Sequence, residues 1–387
     1  MSDARVRHPG ELRWETRLLA VVTLTLVSVG IAMCYAAGSY REDWFLEAQQ
    51  QVSGAVVGGV LFLVAARLDY RLLRTWARPM FWATLAGLVV IGIVAVIWSG
   101  PKAPEAVASL VPYHNGARRW LRIGPLQLQI SEIARFTLPV LIAAMVADLG
   151  ARLRRFRDGF VPVMVPIVVT AALVAVQPNL SMAILLTVTG VAVAFVAGAR
   201  ISHLLLFAAP AVAGAAGMLV LTPERLDRLG AFLRPATECD PIADQVCDSL
   251  IGLGNGGIVG VGFGQGTQKL GHLSFGHSDF ILSVVGEEWG FLGIMFLVLC
   301  FTLFCWMGFR IARTVRGAVG AAVAGGVTAM VGVAGFMHAA VVLKLMPATG
   351  LTLPFISTGR VSLVVYLLAA GVLVSIGRLR GKPSSRS

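Results

Sequence analysis

The tripeptide His277-Ser278-Asp279 stands immediately before Phe280-Ile281-Leu282, where a long apolar run begins. A carboxylate there has two uses. It can cap a helix, because negative charge is favoured beside first-turn amides. At the mouth of a membrane cavity, where it loses part of its hydration, it becomes a better proton acceptor and can serve as a general base. Glu287 and Glu288 lie two turns deeper in the same run. Acids at membrane depth are functional candidates, with helix–helix hydrogen bonding as the plainer role. Arg118, Arg119 and Arg122 crowd a second segment around Trp120, and Arg135 follows at the start of another apolar run. Planar guanidinium groups match phosphate oxygens two at a time, so these four suit a cradle for an anionic lipid headgroup. Ordinary snorkelling, with charges in water and stems on apolar surface, accounts for them equally well. Glu132 and Arg135, three residues apart, share one helix face and can pair, either structurally or to shape a pocket. His272, His277 and the cysteines lack metal-ligand spacing. Gly262-Phe263-Gly264-Gln265-Gly266 is a glycine-rich signal without the strand, loop and helix that would frame a nucleotide site.

The elements that must hold these side chains follow from composition. The 387 residues are 57% hydrophobic and 13% charged, with a mean hydropathy of +0.80. Soluble domains carry about 25% charged residues, so a soluble enzyme, a disordered tail protein and a coiled coil are excluded. Runs long enough to cross a hydrocarbon core of about 30 Å as helices occur near 18–37, 52–66, 80–98, 134–149, 161–176, 181–197, 203–221, 280–306, 318–342 and 362–377. The expected architecture is an all-α, polytopic membrane protein of about ten transmembrane helices. Residues 1–17 form an N-terminal segment, 18–377 the membrane domain, and 378–387 a polar tail. Gln177-Pro178-Asn179 reads as a tight turn between two crossings. The first apolar run is long and no small-residue cleavage site follows it, so no cleavable signal peptide is expected.

An even number of crossings puts both termini on one side. That side takes twenty of the 32 basic residues but only six of the 20 acidic ones. The positive-inside rule makes it the cytoplasm, and the net charge of +12 is mainly a topology signal, with no nucleic-acid partner expected. Three segments on the opposite face, 99–133, 222–279 and 343–361, are too long or too polar to be mere connectors. They hold every candidate above except the two deeper acids and Arg135, so one shared site is expected. Cys34, Cys300 and Cys305 fall within apolar runs as packing residues. Cys239 and Cys247 share the second segment, in a compartment that permits a disulfide between them.

At these residues the chain resembles the SEDS family of bacterial cell-wall polymerases, the FtsW/RodA proteins. The resemblance is carried by Asn115–Pro125 with Gln129-Ile130-Ser131-Glu132, by Gln177-Pro178-Asn179-Leu180, and by Gly262–Leu270. It continues in His277-Ser278-Asp279-Phe280-Ile281 with Gly286-Glu287-Glu288, and in Thr349–Ser357. These motifs span nearly the whole chain in family order and spacing. The resemblance implies a peptidoglycan glycosyltransferase of the bacterial cytoplasmic membrane, polymerising lipid II, an undecaprenyl-diphosphate-linked disaccharide peptide, on the outer face. It makes Asp279 the catalytic residue, places Glu132 and Arg135 in the family's Ser-Glu-x-x-Lys motif, and matches Arg119 to its Asn-Gly-Ala-x-Arg-Trp arginine. Gln268 and Lys269 match its Gln-Lys pair. Arg118, Arg122, Gln177, His277 and Ser357 complete the expected substrate-binding set. The implied partner is a class B penicillin-binding protein. No tightly bound cofactor is expected, although a divalent cation, Mg or Mn, could assist at the diphosphate. The wording of 350–354, Gly-Leu-Thr-Leu-Pro, is closer to the division branch, FtsW.

Several positions depart from the family pattern. Asn179 and Ser181 stand where Asp and Gly are usual, and Thr358, Gly359, Arg360, Val361 and Ser362 follow Ile356-Ser357 where the family usually has Ile-Ser-Tyr-Gly-Gly-Ser-Ser. Cys247-Asp248-Ser249 replaces a segment ending in Gln-Ser, and His338 an Asn. Two other functions fit many crossings and buried acids: a lipid-linked precursor transporter, and a scaffold that recruits a transpeptidase.

Overall fold

The computed structural model describes residues 11–38, 44–114, 116–124, 126–220, 245–270 and 276–379, with isolated residues between 226 and 233. The helices are α1 (Glu11–Gly38), α2 (Trp44–Arg67), α3 (Leu72–Ile97), α4 (Glu105–Leu110), α5 (Ile130–Leu149), α6 (Val161–Val176), α7 (Leu180–Val196) and α8 (Ile201–Val220). After them come α9 (Gln245–Gly256), α10 (Ile281–Thr314), α11 (Ala318–Val342) and α12 (Arg360–Leu379). Eight of these are long and apolar enough to cross a membrane; α7 and α8 are shorter apolar helices. Together they account for the ten runs, and the chain is a multi-pass membrane protein. Helices overrun the apolar runs at both termini, because backbone hydrogen bonding continues past the last apolar side chain into Glu11 and Leu379.

The chain is all-α as expected, with one small hairpin in a loop. Inside segment 99–133, β1 (Trp120–Ile123) and β2 (Leu126–Gln129) form an antiparallel hairpin pairing Trp120 with Gln129 and Ile123 with Leu126. Gly124, with φ +60°, sits in its turn. Alternation of Leu and Ile with Arg and Gln suits a strand pair in which only one face is apolar.

Close helix contacts follow the small residues. On α2, Gly54 and Gly58 lie against Arg360 and Leu367 of α12; on α11, Gly325 and Gly326 lie against Val196 and Val193 of α7. In a membrane, where lipid is as apolar as leucine, such close approach supplies the dispersion that holds helices together. The arginine-rich end of the bundle is latched too. Arg74 and Arg78 of α3 pair with Asp148 of α5 at 2.6 and 3.4 Å, and Arg310 of α10 pairs with Glu15 of α1. These cations therefore staple helices. At the other end, residues 351–357 turn inward and are buried almost throughout, with Phe355 between Phe304 and Tyr366.

Candidate active site

Asp279 is half-buried in the turn that leads into α10. The inward-turning 350–358 segment holds that turn from the side. Thr358 donates to the His277 carbonyl through its amide (3.1 Å) and its hydroxyl (2.9 Å). The Ser357 hydroxyl donates to the Ser278 carbonyl at 2.6 Å while accepting from the Leu353 amide at 2.8 Å. Gly350 faces the carboxylate itself: a Cβ there would lie 3.5 Å from Asp279 Oδ2. Gln51 of α2 supports the same segment, its amide nitrogen donating to the Ile356 and Ser357 carbonyls at 3.3 and 3.4 Å. Ser357 and Thr358 thus hold the turn at the backbone carbonyls of Ser278 and His277 respectively.

The second cluster lies on α5. Arg135, buried, pairs with Glu132 at 3.0 Å and donates to Ser362 Oγ (3.1 Å) and to the Tyr366 hydroxyl (2.8 Å) on α12. Its Nε meets the Met182 sulfur of α7 at 3.1 Å. Ser362 Oγ in turn lies 3.0 Å from Thr352 Oγ1, two residues from Gly350. A continuous polar path therefore joins the Glu132–Arg135 pair to the segment beside Asp279. Glu132 Oε2 is buried without a hydrogen-bond partner among the described residues.

The remaining arginines separate. Arg119 donates to the Gln177 and Pro178 carbonyls at 3.0 and 2.8 Å, fixing the turn before α7. Gln177 is buried and donates to the Leu88 carbonyl of α3 at 3.1 Å. Asn179 caps α7 by accepting from the Met182 amide at 3.3 Å, a role either Asn or Asp fills well. Arg122 lies half-buried on β1 opposite Gln127 and forms no ion pair among the described residues.

Two of the expected substrate ligands, Arg118 and Lys269, are engaged by groups of the protein itself. Arg118 is 1% exposed and donates to the carbonyls of Trp98, Gly100, Pro101 and Val111 at 2.5–3.2 Å, while stacking over Tyr113. Its guanidinium braces segment 98–113. Lys269 is 3% exposed and donates to Glu288, the Gly264 carbonyl and the Ala36 carbonyl. An ammonium has three protons, and all are used. Two cations not in the expected set stand in the third segment instead. Lys344 Nζ and Arg360 Nε are buried without a hydrogen-bond partner among the described residues. Their signal in the sequence was charge on a face otherwise poor in cations. Cys247 is disulfide-bonded, whereas Cys34, Cys300 and Cys305 form no disulfide; Cys239 and His272 lie outside the described residues.

Comparison with known proteins matches this chain over nearly its whole length. A family model described as cell cycle protein, covering FtsW, RodA and SpoVE, matches residues 13–381. Stage V sporulation protein E of Bacillus subtilis is 31% identical over 368 residues, spanning 93% of this chain and 96% of that protein. A probable peptidoglycan glycosyltransferase FtsW of Trichlorobacter lovleyi is 33% identical over 376 residues, spanning 96% and 95%. Among solved structures, a chain from a peptidoglycan synthase complex superposes with a TM-score of 0.76 at 26% identity, covering 94% of this chain and 98% of that one. The rod shape determining protein RodA of Thermus thermophilus superposes at 0.68 with 24% identity, covering 94% and 97%; at that identity the likeness speaks for the fold.

Proposed function

The chain belongs to the FtsW, RodA and SpoVE family, and on that premise we propose that it polymerises lipid II into glycan strands with Asp279 as general base. The observation that carries this reading is the seating of Asp279. It is a half-buried carboxylate beside Gly350, on a turn fixed by Ser357 and Thr358. A sugar hydroxyl is a poor nucleophile until a base begins to take its proton, and a carboxylate held in one orientation in a partly dry cavity is suited to that step. Attack at the anomeric carbon of the donor breaks its bond to the diphosphate, which leaves with the bonding electrons. Direct displacement at an α-linked donor inverts to a β-linkage with no covalent enzyme intermediate.

Negative charge develops on the departing diphosphate, and fixed cations stabilise it most where water is excluded. Arg122, Lys344 and Arg360 form no ion pair among the described residues and keep their charge for this, whereas Arg118 and Lys269 are committed to carbonyls and to Glu288. Arg119 and Arg135 act by shaping the floor through the Gln177 turn and Ser362. No group of three or more His, Cys, Asp or Glu side chains among the described residues could hold a metal ion. The site faces outward, with both termini in the cytoplasm, as the cation asymmetry indicates. A class B penicillin-binding protein is the expected partner, in keeping with the synthase complex this chain resembles.

The test is polymer formation from purified lipid II by the full chain with its transpeptidase partner. Wild type is expected to form glycan strands, and Asp279→Ala none, with unchanged helical content and thermal melting. Equal polymer from Asp279→Ala would refute the base assignment. Movement of labelled lipid II across vesicles by a wild type that makes no polymer would favour a transporter instead.

A further inference from the structure

Helix α10 is broken at Gly290, whose φ and ψ are 66° and −163°. A break at membrane depth frees carbonyls before it and amides after it, and with no water to satisfy them each must find a protein partner. The glycine-rich segment after α9 supplies the partners on both sides. Val261 and Gly262 donate to the carbonyls of Glu287 and Glu288, both at 3.0 Å. Phe291 and Leu292 donate to the carbonyls of Gly257 and Ile258, at 2.9 and 3.1 Å. The backbones approach so closely that Gly256, Gly260 and Gly290 have no room for a Cβ.

The two acids complete the clamp. Glu287 Oε1 accepts from the Thr267 amide (2.8 Å), the Thr267 hydroxyl (2.9 Å) and the Gln268 amide (3.3 Å). Glu288 accepts from the Gly264 amide at 2.9 Å and from Lys269 Nζ at 2.8 Å. Lys269 then reaches the Ala36 carbonyl near the end of α1 at 2.9 Å. All three ionisable side chains are buried, while Ile258 and Val259 on the other side of the segment are 71% and 72% exposed. The wedge thus turns apolar side chains outward, where acyl chains lie, and polar groups inward.

Because the helix is broken, the first two turns of α10 are not oriented by the rest of that helix. They carry Asp279 at their head. We propose that Lys269, Glu287 and Glu288 are positioning residues that lock the Asp279-bearing half-helix to the glycine-rich segment and to α1. This rests on Asp279 being the base. Burying a carboxylate and an ammonium costs several kcal/mol per ion before pairing, and apolar packing alone would hold two helices together. What the ionic clamp adds is one fixed register. A misplacement on the order of 1 Å at a reacting group costs about 100-fold in rate.

The experiment uses the full chain with its transpeptidase partner and lipid II. Lys269→Met/Glu288→Gln removes both charges together but keeps an acceptor for Gly264. Thr267→Val removes one hydroxyl donor to Glu287 with almost no change of shape. Positioning predicts that kcat falls about tenfold or more in the double variant and about threefold in Thr267→Val, with KM for lipid II within about twofold. Lipid II binding in an Asp279→Ala background stays unchanged, and amide exchange over 277–283 speeds up about tenfold. A raised KM with weaker lipid II binding and unchanged kcat would make Lys269 a substrate ligand and overturn the proposal. Unchanged exchange over 277–283 overturns it as well. If the double variant fails to fold, Thr267→Val decides by the same readouts. If wild type makes no polymer, the base assignment fails by itself, and the exchange rates still judge the clamp.

Discussion

Arg135 offers a test in which stability and coupling can be worked from the structure. Its guanidinium has four side-chain partners on three helices: Glu132 on its own helix, Met182 on α7, and Ser362 and Tyr366 on α12. Glu132 and Arg135 are 6% and 2% exposed, so neither charge is screened by water. Removing one member of such a pair strands the other and costs about 3–5 kcal/mol. Arg135→Met and Glu132→Gln alone are each expected to fall in that range. The double variant has no stranded charge. It loses mainly the donors to Ser362 and Tyr366, at about 1–2 kcal/mol together. The singles therefore do not add, and the coupling energy between the two sites is at least about 4 kcal/mol in magnitude. Unfolding of the detergent-solubilised protein by graded SDS, followed by tryptophan fluorescence, measures all four species. Single variants each costing under about 1 kcal/mol, with a double equal to their sum, would show that the pair is effectively solvated and refute the reasoning.

Two further outcomes follow from backbone positions. Gly290→Ala adds a Cβ into the Ile258 carbonyl and the Gly260 amide, at dihedrals that favour glycine. It is expected to cost about 3 kcal/mol or more and to lower the yield of folded protein in size-exclusion profiles; a normal profile and melting temperature would refute the closeness of that contact. Asn179→Asp keeps an N-cap acceptor for Met182, so the melting free energy should change by no more than about 0.5 kcal/mol. A larger loss would mean that a charge is not tolerated at that turn.

Much of this is legible in the sequence itself. The ten apolar runs, the asymmetry of the arginines and the i,i+3 spacing of Glu132 and Arg135 are local properties of the chain. Hydrocarbon thickness and helical periodicity convert them directly into helices, and the ion pair forms as its spacing allows. His277 to Asp279 was identifiable as a segment of interest because a polar tripeptide abuts an apolar run. The departures at Asn179 and in 358–361 were visible too, and the structure gives Asn179 its cap and Thr358 its hold on His277.

Residue types and spacing could not say which cations face a ligand and which face backbone carbonyls. Arg118 and Arg119 are neighbours in sequence, yet one is swallowed by the carbonyls of 98–111 and the other braces the turn before α7. Lys269 is committed to Glu288 across nineteen residues and to Ala36 across 233. Such choices depend on which unsatisfied carbonyl or carboxylate the folded bundle brings within 3 Å, a long-range property that no local pattern encodes. Hydrophobic length thus determined the helices. The need to satisfy every polar group away from water decided what the charged side chains between them do.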